Sequence, residues 1–116
     1  MRRSEVWWGA PRRPGGSAKR RPFLVVSADF FNANPRYPKV MVVHLTSVAR
    51  ATVRAWEVAL PRGVATRPAA STAKCGEVYT IAKDDLDVLA GTVGQEHMAR
   101  IDAALALALG FRFAVT

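Results

Sequence analysis

Blocks of apolar residues, separated by Pro-, Gly- and Asn-rich stretches, predict a chain that is mainly β through residue 81. Glu5–Gly9 is a short aromatic strand. Phe23–Ser27 and Val40–Leu45 are continuous apolar runs rich in β-branched residues, which is typical of strands buried on both faces. Thr52–Leu60 alternates between two faces and predicts a further strand, and Glu77–Ile81 predicts a short one. The stretches between them are predicted loops: Pro11–Arg21, Ala28–Lys39 and Pro61–Ala70.

The apolar spacing then changes from that of a strand to that of a helix. Asp84–Ala90 predicts a short helix, because its acidic residues would lie in the first turn and a glycine follows its end. From Gln95 onward one apolar stripe recurs at helical spacing until Gly110, which predicts a longer helix. Its start is either Thr92, with Gln95 completing a capping box, or Gly94 as the N-cap.

This order of elements predicts one domain over residues 1–116. Its class is α+β but mainly β: a small antiparallel, barrel-like β-domain with a short helix and a C-terminal α-helix. A chain of 116 residues leaves little room for a second independent core.

Positive charge is concentrated in the first two thirds of the chain. The whole sequence has 17 Lys and Arg against nine Asp and Glu, a formal net charge of +8. Residues 1–22 hold seven of the basic residues and residues 30–76 another seven, each range with a single Glu. The last forty residues are net negative. This distribution predicts a polyanionic partner for the first two thirds, with nucleic acid ahead of a membrane, and helices on the side away from it. A charge that serves only solubility is the alternative.

Cysteine usage and hydropathy predict a cytoplasmic protein. Cys75 is the single cysteine, so no internal disulfide forms, and a small buried side chain is the simplest interpretation of it. The longest apolar run, Ala103–Leu109, is far shorter than the ~20 residues that cross a bilayer, and the N-terminus has no signal-peptide core.

Five motifs in order resemble the MazF/PemK family of toxin endoribonucleases. Arg3-Ser4-Glu5-Val6-Trp7-Trp8 is similar to the family's opening Arg-Gly-Glu-Val-Trp/Tyr, and Gly16-Ser17 followed by Arg21-Pro22-Phe23-Leu24-Val25-Val26-Ser27 to its Gly-Ser and Arg-Pro-Val-Leu-Val-Val-Ser. Asp29-Phe30-Phe31-Asn32 resembles Asp-x-x-Asn, and Leu45-Thr46-Ser47 resembles Leu-Thr-Ser. Lys74–Leu86 and the helix ending at Gly110 are similar to the closing segments, so the resemblance covers nearly the whole chain.

The resemblance implies an SH3-like barrel of the PemK/CcdB type, a homodimer, and a cognate antitoxin that blocks the site. It also implies metal-independent, sequence-specific cleavage of single-stranded RNA without a cofactor. The hydropathy, as above, predicts no membrane association. The family's catalytic Arg and Thr match Arg21 and Thr46. The plausible products of such cleavage are a 2′,3′-cyclic phosphate and a 5′-OH.

The chemistry of the two residues is compatible with these roles. The Arg21 guanidinium can clamp a phosphate and stabilise its developing charge, whereas its high pKa makes it a poor base. The Thr46 hydroxyl can donate a hydrogen bond to a phosphate oxygen. Without the resemblance, a solvated surface arginine and an ordinary strand threonine would be the expected interpretations.

Further candidates surround this pair. Ser17, Lys19, Arg20 and Ser47 are predicted RNA contacts from the two loops. Glu77 could accept a hydrogen bond from a base edge, or form a plain salt bridge. The loop reads Gly16-Ser17-Ala18-Lys19 where the family has Gly-Ser-Glu-Gln, so the family's base preferences do not transfer.

His44 is a candidate general acid or base. It precedes Thr46 by two residues, so both would point to one face of a strand, and a histidine titrates near ~6.5. A structural role is the alternative, since a lone histidine in a strand is more often structural. The family usually has a small residue or Pro there, so the resemblance does not support catalysis by His44. The spacing of the two histidines and one cysteine predicts no metal site.

Two other functions remain open from the sequence. One is a CcdB-like barrel that poisons gyrase without catalysis, which would need neither the Arg-Pro nor the Leu-Thr-Ser motif. The other is a nucleic-acid-binding barrel without activity, which the charge of +8 and the altered loop favour.

Overall fold

The computed structural model describes residues 1–11, 19–47 and 53–111. Within these ranges the chain forms seven strands and two α-helices, with 3₁₀ turns at Val64–Thr66 and Lys83–Asp85. The elements in chain order are β1 Glu5–Gly9, β2 Arg21–Val25, α1 Asp29–Asn32, β3 Lys39–Thr46, β4 Val58–Leu60, β5 Ser71–Ala73, β6 Tyr79–Ala82, β7 Leu86–Thr92 and α2 Gln95–Leu109.

The described strands form one antiparallel sheet, organised around β3. Its order is β4-β5-β3-β2-β1-β7, and β6 pairs with the first half of β3. At eight residues β3 is long enough to pair with β2 on one side and with β6 and then β5 on the other. A barrel-like sheet with a C-terminal helix is confirmed, although hydrogen-bonded pairing does not close the described sheet between β4 and β7.

A 3₁₀ turn covers the open side of the sheet. The Thr66 hydroxyl donates a hydrogen bond to the Ala90 carbonyl of β7, 2.6 Å away. Gly91 lies so close to the same turn that a Cβ there would be 2.9 Å from the Ala65 Cα. The chain after β4 is thereby packed against β7 without forming a ladder.

Apolar side chains fill both faces of the sheet. One face, with Val6, Leu24 and Val43, packs against α2 through Met98 and Ile101. The opposite face holds a second buried cluster: Phe23, Val25, Val40, Val42 and Leu86. Burial of β2 and β3 on both faces agrees with their continuous apolar sequences.

The long C-terminal helix is confirmed. It starts after Gly94, which is the N-cap, and ends at Gly110 in the left-handed conformation with φ 74°. Thr92 belongs to β7 instead of capping the helix. No helix in the described ranges combines the length and hydropathy needed to cross a membrane.

The predicted short helix at Asp84–Ala90 is wrong. Lys83–Asp85 is a 3₁₀ turn, and Leu86–Thr92 is a strand that pairs with β1. The acidic residues that resembled a helix start form the turn before this strand. The backbone hydrogen bonds of β7 go to a partner about eighty residues earlier, which no local pattern indicates.

Several predicted bounds also need correction, and one strand was not predicted. The strand predicted at Phe23–Ser27 spans Arg21–Val25, two residues earlier. Of the predicted strand Thr52–Leu60 only Val58–Leu60 is extended, with a turn before it and residue 52 outside the described ranges. The predicted loop Ala28–Lys39 contains α1. Ser71–Ala73 is a buried strand of three residues, too short to show alternation.

Candidate active site at the ends of β2 and β3

Arg21 and Thr46 lie at adjacent ends of two paired strands. Phe23 is opposite His44 in the antiparallel ladder of β2 and β3. The same register continued by two residues aligns Arg21, the first residue of β2, with Thr46, the last of β3. Because side chains alternate along a strand, these four residues share one face of the sheet. Two residues far apart in sequence are therefore carried by neighbouring strand ends.

The two neighbouring arginines differ in whether a carboxylate neutralises them. Arg20 makes a bidentate ion pair with Asp87 of β7, with both nitrogen–oxygen distances 2.7 Å. The hydrogen bonds from Arg20 lower the pKa of the Asp87 carboxyl. No carboxylate among the described residues pairs with Arg21, which is half-buried beside the edge. Of the two guanidinium groups, that of Arg21 is the one available to an anionic ligand.

Thr46 and Ser47 provide hydroxyl groups at this edge. The Thr46 hydroxyl donates a long hydrogen bond, 3.4 Å, to the Thr72 carbonyl of β5. Ser47 is exposed and directly precedes residues that the structure does not describe. Such a long contact costs little to exchange, so the Thr46 hydroxyl can turn towards a ligand.

His44 and Glu77 come together one step further from the edge. The His44 Nε2 lies 3.5 Å from the Glu77 Oε2, and its ring meets that of Tyr79 edge to face at 6.0 Å. His44 is almost fully buried, whereas the Glu77 side chain is half-exposed. Glu77 can therefore reach a ligand while it contacts the imidazole.

The structure adds an ion pair that the sequence analysis did not single out. The Lys74 Nζ lies 2.7 Å from the Glu57 Oε2, and the Glu57 side chain is only 1% exposed. The Lys74 backbone N–H donates a hydrogen bond to the His44 carbonyl at 3.2 Å. This bond holds the Lys74–Glu57 ion pair next to β3, two residues before Thr46. Glu57 is the single acidic residue between positions 30 and 76. Its isolation among basic residues is the sequence signal that could have indicated an ion pair.

The predicted loop contacts are only partly described. Lys19 is exposed near the start of β2. Ser17 lies outside the described residues, as do the other residues from 12 to 18. Cys75 is fully buried as predicted, and its burial raises the pKa of the thiol to about 12, so it stays protonated at neutral pH.

A family model for the PemK-like, MazF-like toxins of type II toxin–antitoxin systems matches residues 2–109. The chain belongs to this family. Curated relatives include Endoribonuclease MazF6 of Mycobacterium tuberculosis and Endoribonuclease MazF2 of Mycobacterium bovis, each 32% identical over 105 residues, 89% of this chain and 91% of the relative. The predicted class, a MazF-like toxin endoribonuclease, is thereby confirmed.

Solved structures of the family have the same fold. An endoribonuclease in complex with its cognate antitoxin from a mycobacterial species is 25% identical, with a TM-score of 0.78 over 98% of this chain and 99% of that one. MazF from Deinococcus radiodurans, at 18% identity, matches with a TM-score of 0.74 over 96% and 97% of the two chains. In this MazF-like chain the Arg-Pro and Leu-Thr-Ser motifs form the two strand ends described above.

Proposed function

We propose that this toxin cleaves single-stranded RNA at a phosphodiester held between Arg21 and Thr46. The observation that carries the proposal is the register of β2 and β3, which aligns these two residues at one edge of the sheet. A guanidinium that pairs with no carboxylate in the described part of the chain and a weakly held hydroxyl are suitable ligands for a phosphate.

The reaction we propose is an internal transesterification without metal. The 2′ oxygen bonds to phosphorus, the bond from phosphorus to the 5′ oxygen breaks, and the leaving 5′ oxygen gains a proton from water. Arg21 stabilises the charge on the phosphorane. His44 takes up the proton of the 2′-OH once the Glu77 carboxylate, which contacts its buried Nε2, turns towards the substrate. The products are a 2′,3′-cyclic phosphate and a 5′-OH.

We also propose a cognate antitoxin that covers this edge, a homodimer, and action in the cytoplasm on messenger RNA. Support for the antitoxin comes from the family and from the mycobacterial endoribonuclease solved with its own antitoxin. Residues 1–116 would act as one domain, with Lys19 and Ser47 contacting RNA beside the scissile phosphate.

End-labelled single-stranded RNA incubated with the protein in chelator tests the proposal. We expect cleavage that leaves a cyclic phosphate, and a rate about 10²–10³-fold lower for Arg21→Ala. Arg20→Ala is the matched control, with a much smaller loss because Asp87 already occupies that guanidinium. Thr46→Val, which keeps the shape and removes the hydroxyl, should lose roughly tenfold.

The same assay examines proton transfer. His44→Gln should remove one limb of the pH–rate profile. An unchanged profile would exclude His44 as the proton acceptor, and RNA binding without cleavage by the wild type would contradict the enzymatic proposal as a whole.

A further inference from the structure

A polar cleft lies next to the C-terminal half of β3, the strand that ends at Thr46. Its volume is about 230 Å³, and its lining includes Trp56, Glu57, Lys74 and Glu77. Drug-sized ligands occupy pockets of roughly 300–1,000 Å³, so this cleft suits a smaller planar group. The hydrogen bond from the Lys74 backbone to the His44 carbonyl ties the cleft to β3, two residues before Thr46.

Trp56 forms an aromatic wall of the cleft. Its side chain is large, apolar and 43% exposed. A Cβ at Gly76 would lie 2.6 Å from the Trp56 Cδ1, so the absence of a side chain at position 76 allows the indole to lie where it does. The Arg54 guanidinium is 5.8 Å from the centroid of the Trp56 ring. An exposed indole beside a cation is a suitable stacking surface for a nucleobase.

The polar lining presents a donor and an acceptor. The Lys74 ammonium is held by the buried Glu57 carboxylate at 2.7 Å and retains further N–H donors. The half-exposed Glu77 carboxylate has two acceptor oxygens, and its ion-pair contact within the described ranges is with the His44 ring, at 3.5 Å. Because Glu57 is buried and engaged, Glu77 is the acceptor in the lining that a ligand can reach.

We infer that this cleft binds a guanine base of the RNA substrate, stacked on Trp56 and bound along its Watson–Crick edge by Glu77 and Lys74. This inference rests on the proposed RNA cleavage and names a specificity pocket for it. Guanine has two neighbouring N–H donors, N1–H and the N2 amine, which together match the two oxygens of a carboxylate. The adjacent O6 accepts a hydrogen bond from the Lys74 ammonium.

The other bases match this lining less well. Cytosine and adenine each have one exocyclic amine next to an acceptor nitrogen, and uracil has one N–H between two carbonyls. None of these offers paired donors to a carboxylate, so Glu77 would make one hydrogen bond instead of two. A good bidentate contact discriminates by about 1–3 kcal/mol.

Binding of DNA heptamers tests the pocket independently of cleavage, because they lack the 2′-OH nucleophile. The probes are fluorescent deoxyuridine heptamers with one deoxyguanosine placed at each position in turn, measured by anisotropy. We expect one position at which guanine tightens binding about tenfold. Deoxyinosine lacks the N2 amine, so replacing the deoxyguanosine by deoxyinosine should remove most of that gain in affinity for the wild type. For Glu77→Gln the same replacement should leave the affinity unchanged.

Substitutions at the wall should act through stacking. Trp56→Ala should weaken binding of the preferred heptamer roughly 5- to 150-fold, and Trp56→Phe much less. Gly76→Ala should displace the indole and reproduce most of the Trp56→Ala loss, with little further loss in the double variant. Phe30→Ala and Glu96→Gln, an exposed aromatic and an exposed acid on other elements, should bind like the wild type.

The results separate the pocket from the catalytic proposal. Equal binding of all single-guanine heptamers, a preference for another base, or a guanine preference that survives in Glu77→Gln would overturn the pocket. Cleavage in chelator that depends on Arg21 would still stand in each case. Conversely, a guanine preference that needs Trp56 and Glu77, in a protein that cuts no RNA, would retain the pocket and reject the catalytic proposal.

Discussion

Arg20 and Arg21 are adjacent in the chain, yet they differ in charge compensation because consecutive residues of an extended segment point to opposite sides. Arg20 meets Asp87, 67 residues away in the sequence, while Arg21 continues the face that carries His44 and Thr46. The sequence alone distinguishes the two only through the family's Arg-Pro motif. Asp87, the partner of Arg20, belongs to a segment that was predicted as a helix. The local sequence pattern therefore could not predict this ion pair.

Glu57 and Lys74 should stabilise the fold to different extents. Glu57→Gln leaves the Lys74 ammonium without its partner, and because Lys74 keeps some solvent contact we expect a loss of unfolding free energy at the lower end of about 3–5 kcal/mol. Lys74→Met leaves a carboxylate that is 1% exposed, so its loss should be larger. Urea denaturation at neutral pH measures both.

The double variant Glu57→Gln/Lys74→Met is the control for this pair. It removes both charges together and should be more stable than Lys74→Met alone, since no buried carboxylate that has lost its Lys74 contact remains. Strictly additive losses would mean that the 2.7 Å contact contributes little to stability.

Elements whose own sequence has a clear hydrophobic pattern were predicted well. Elements whose conformation depends on pairing with a distant strand were not. β1 was predicted with its bounds, β3 within one residue at each end, and α2 with the glycine that ends it. β7 is half-exposed and lacks regular alternation, with irregular register against β1 at two points. Its strand conformation comes from that long-range pairing, which is why the local acidic pattern was misleading.

The short helix α1 is tied to the N-terminus by a carboxylate whose ionisation should affect stability. The Asp29 carboxylate accepts a hydrogen bond from the Arg3 backbone N–H at 2.6 Å and another from the Asn32 amide at 3.1 Å. These bonds, the first above all, lower the pKa of Asp29 in the folded protein. A folded pKa below the unfolded value of about 3.9 means that the stabilisation is present above pH ~4 and is lost as pH falls through the folded pKa.

Asp29→Asn should therefore destabilise the protein at pH 7, and the difference should shrink as the pH falls through the lowered pKa of Asp29, where the wild type loses the same interaction. Urea unfolding of both proteins across this range gives the comparison. If the difference in unfolding free energy between the wild type and Asp29→Asn stays constant down to the lowest pH measured, the ionised form of Asp29 contributes nothing to stability.

At the scale of the whole molecule, the sequence located most of the positive charge but not its compensation. The acidic C-terminal third was expected to be helical and remote from RNA. Instead Asp87 lies on β7 and neutralises Arg20 directly beside the candidate site. Asp102 of α2, in contrast, pairs with Arg3 near Val26, at the other end of β2. The net charge of the chain therefore overstates the positive charge that a polyanion meets at the candidate site. It also does not show where on the molecule that charge lies.

These two ion pairs allow the importance of charge location to be measured. Asp87→Asn and Asp102→Asn raise the net charge equally, and both pairs are exposed enough that folding should be preserved. Arg21 and Val26 are five strand residues apart, roughly 16 Å, which exceeds the Debye length of about 8 Å in physiological salt. Only Asp87→Asn should therefore free a cation where RNA binds.

We expect Asp87→Asn to bind a non-cleavable single-stranded oligonucleotide more tightly than the wild type, because Arg20 then becomes available to a phosphate. The slope of log affinity against log salt should steepen by about 0.7, the value for one additional phosphate contact on a single strand. Asp102→Asn should keep the wild-type slope between about 50 and 200 mM salt. Equal effects of the two substitutions would mean that RNA responds to the total charge of +8 rather than to the edge formed by β2 and β3.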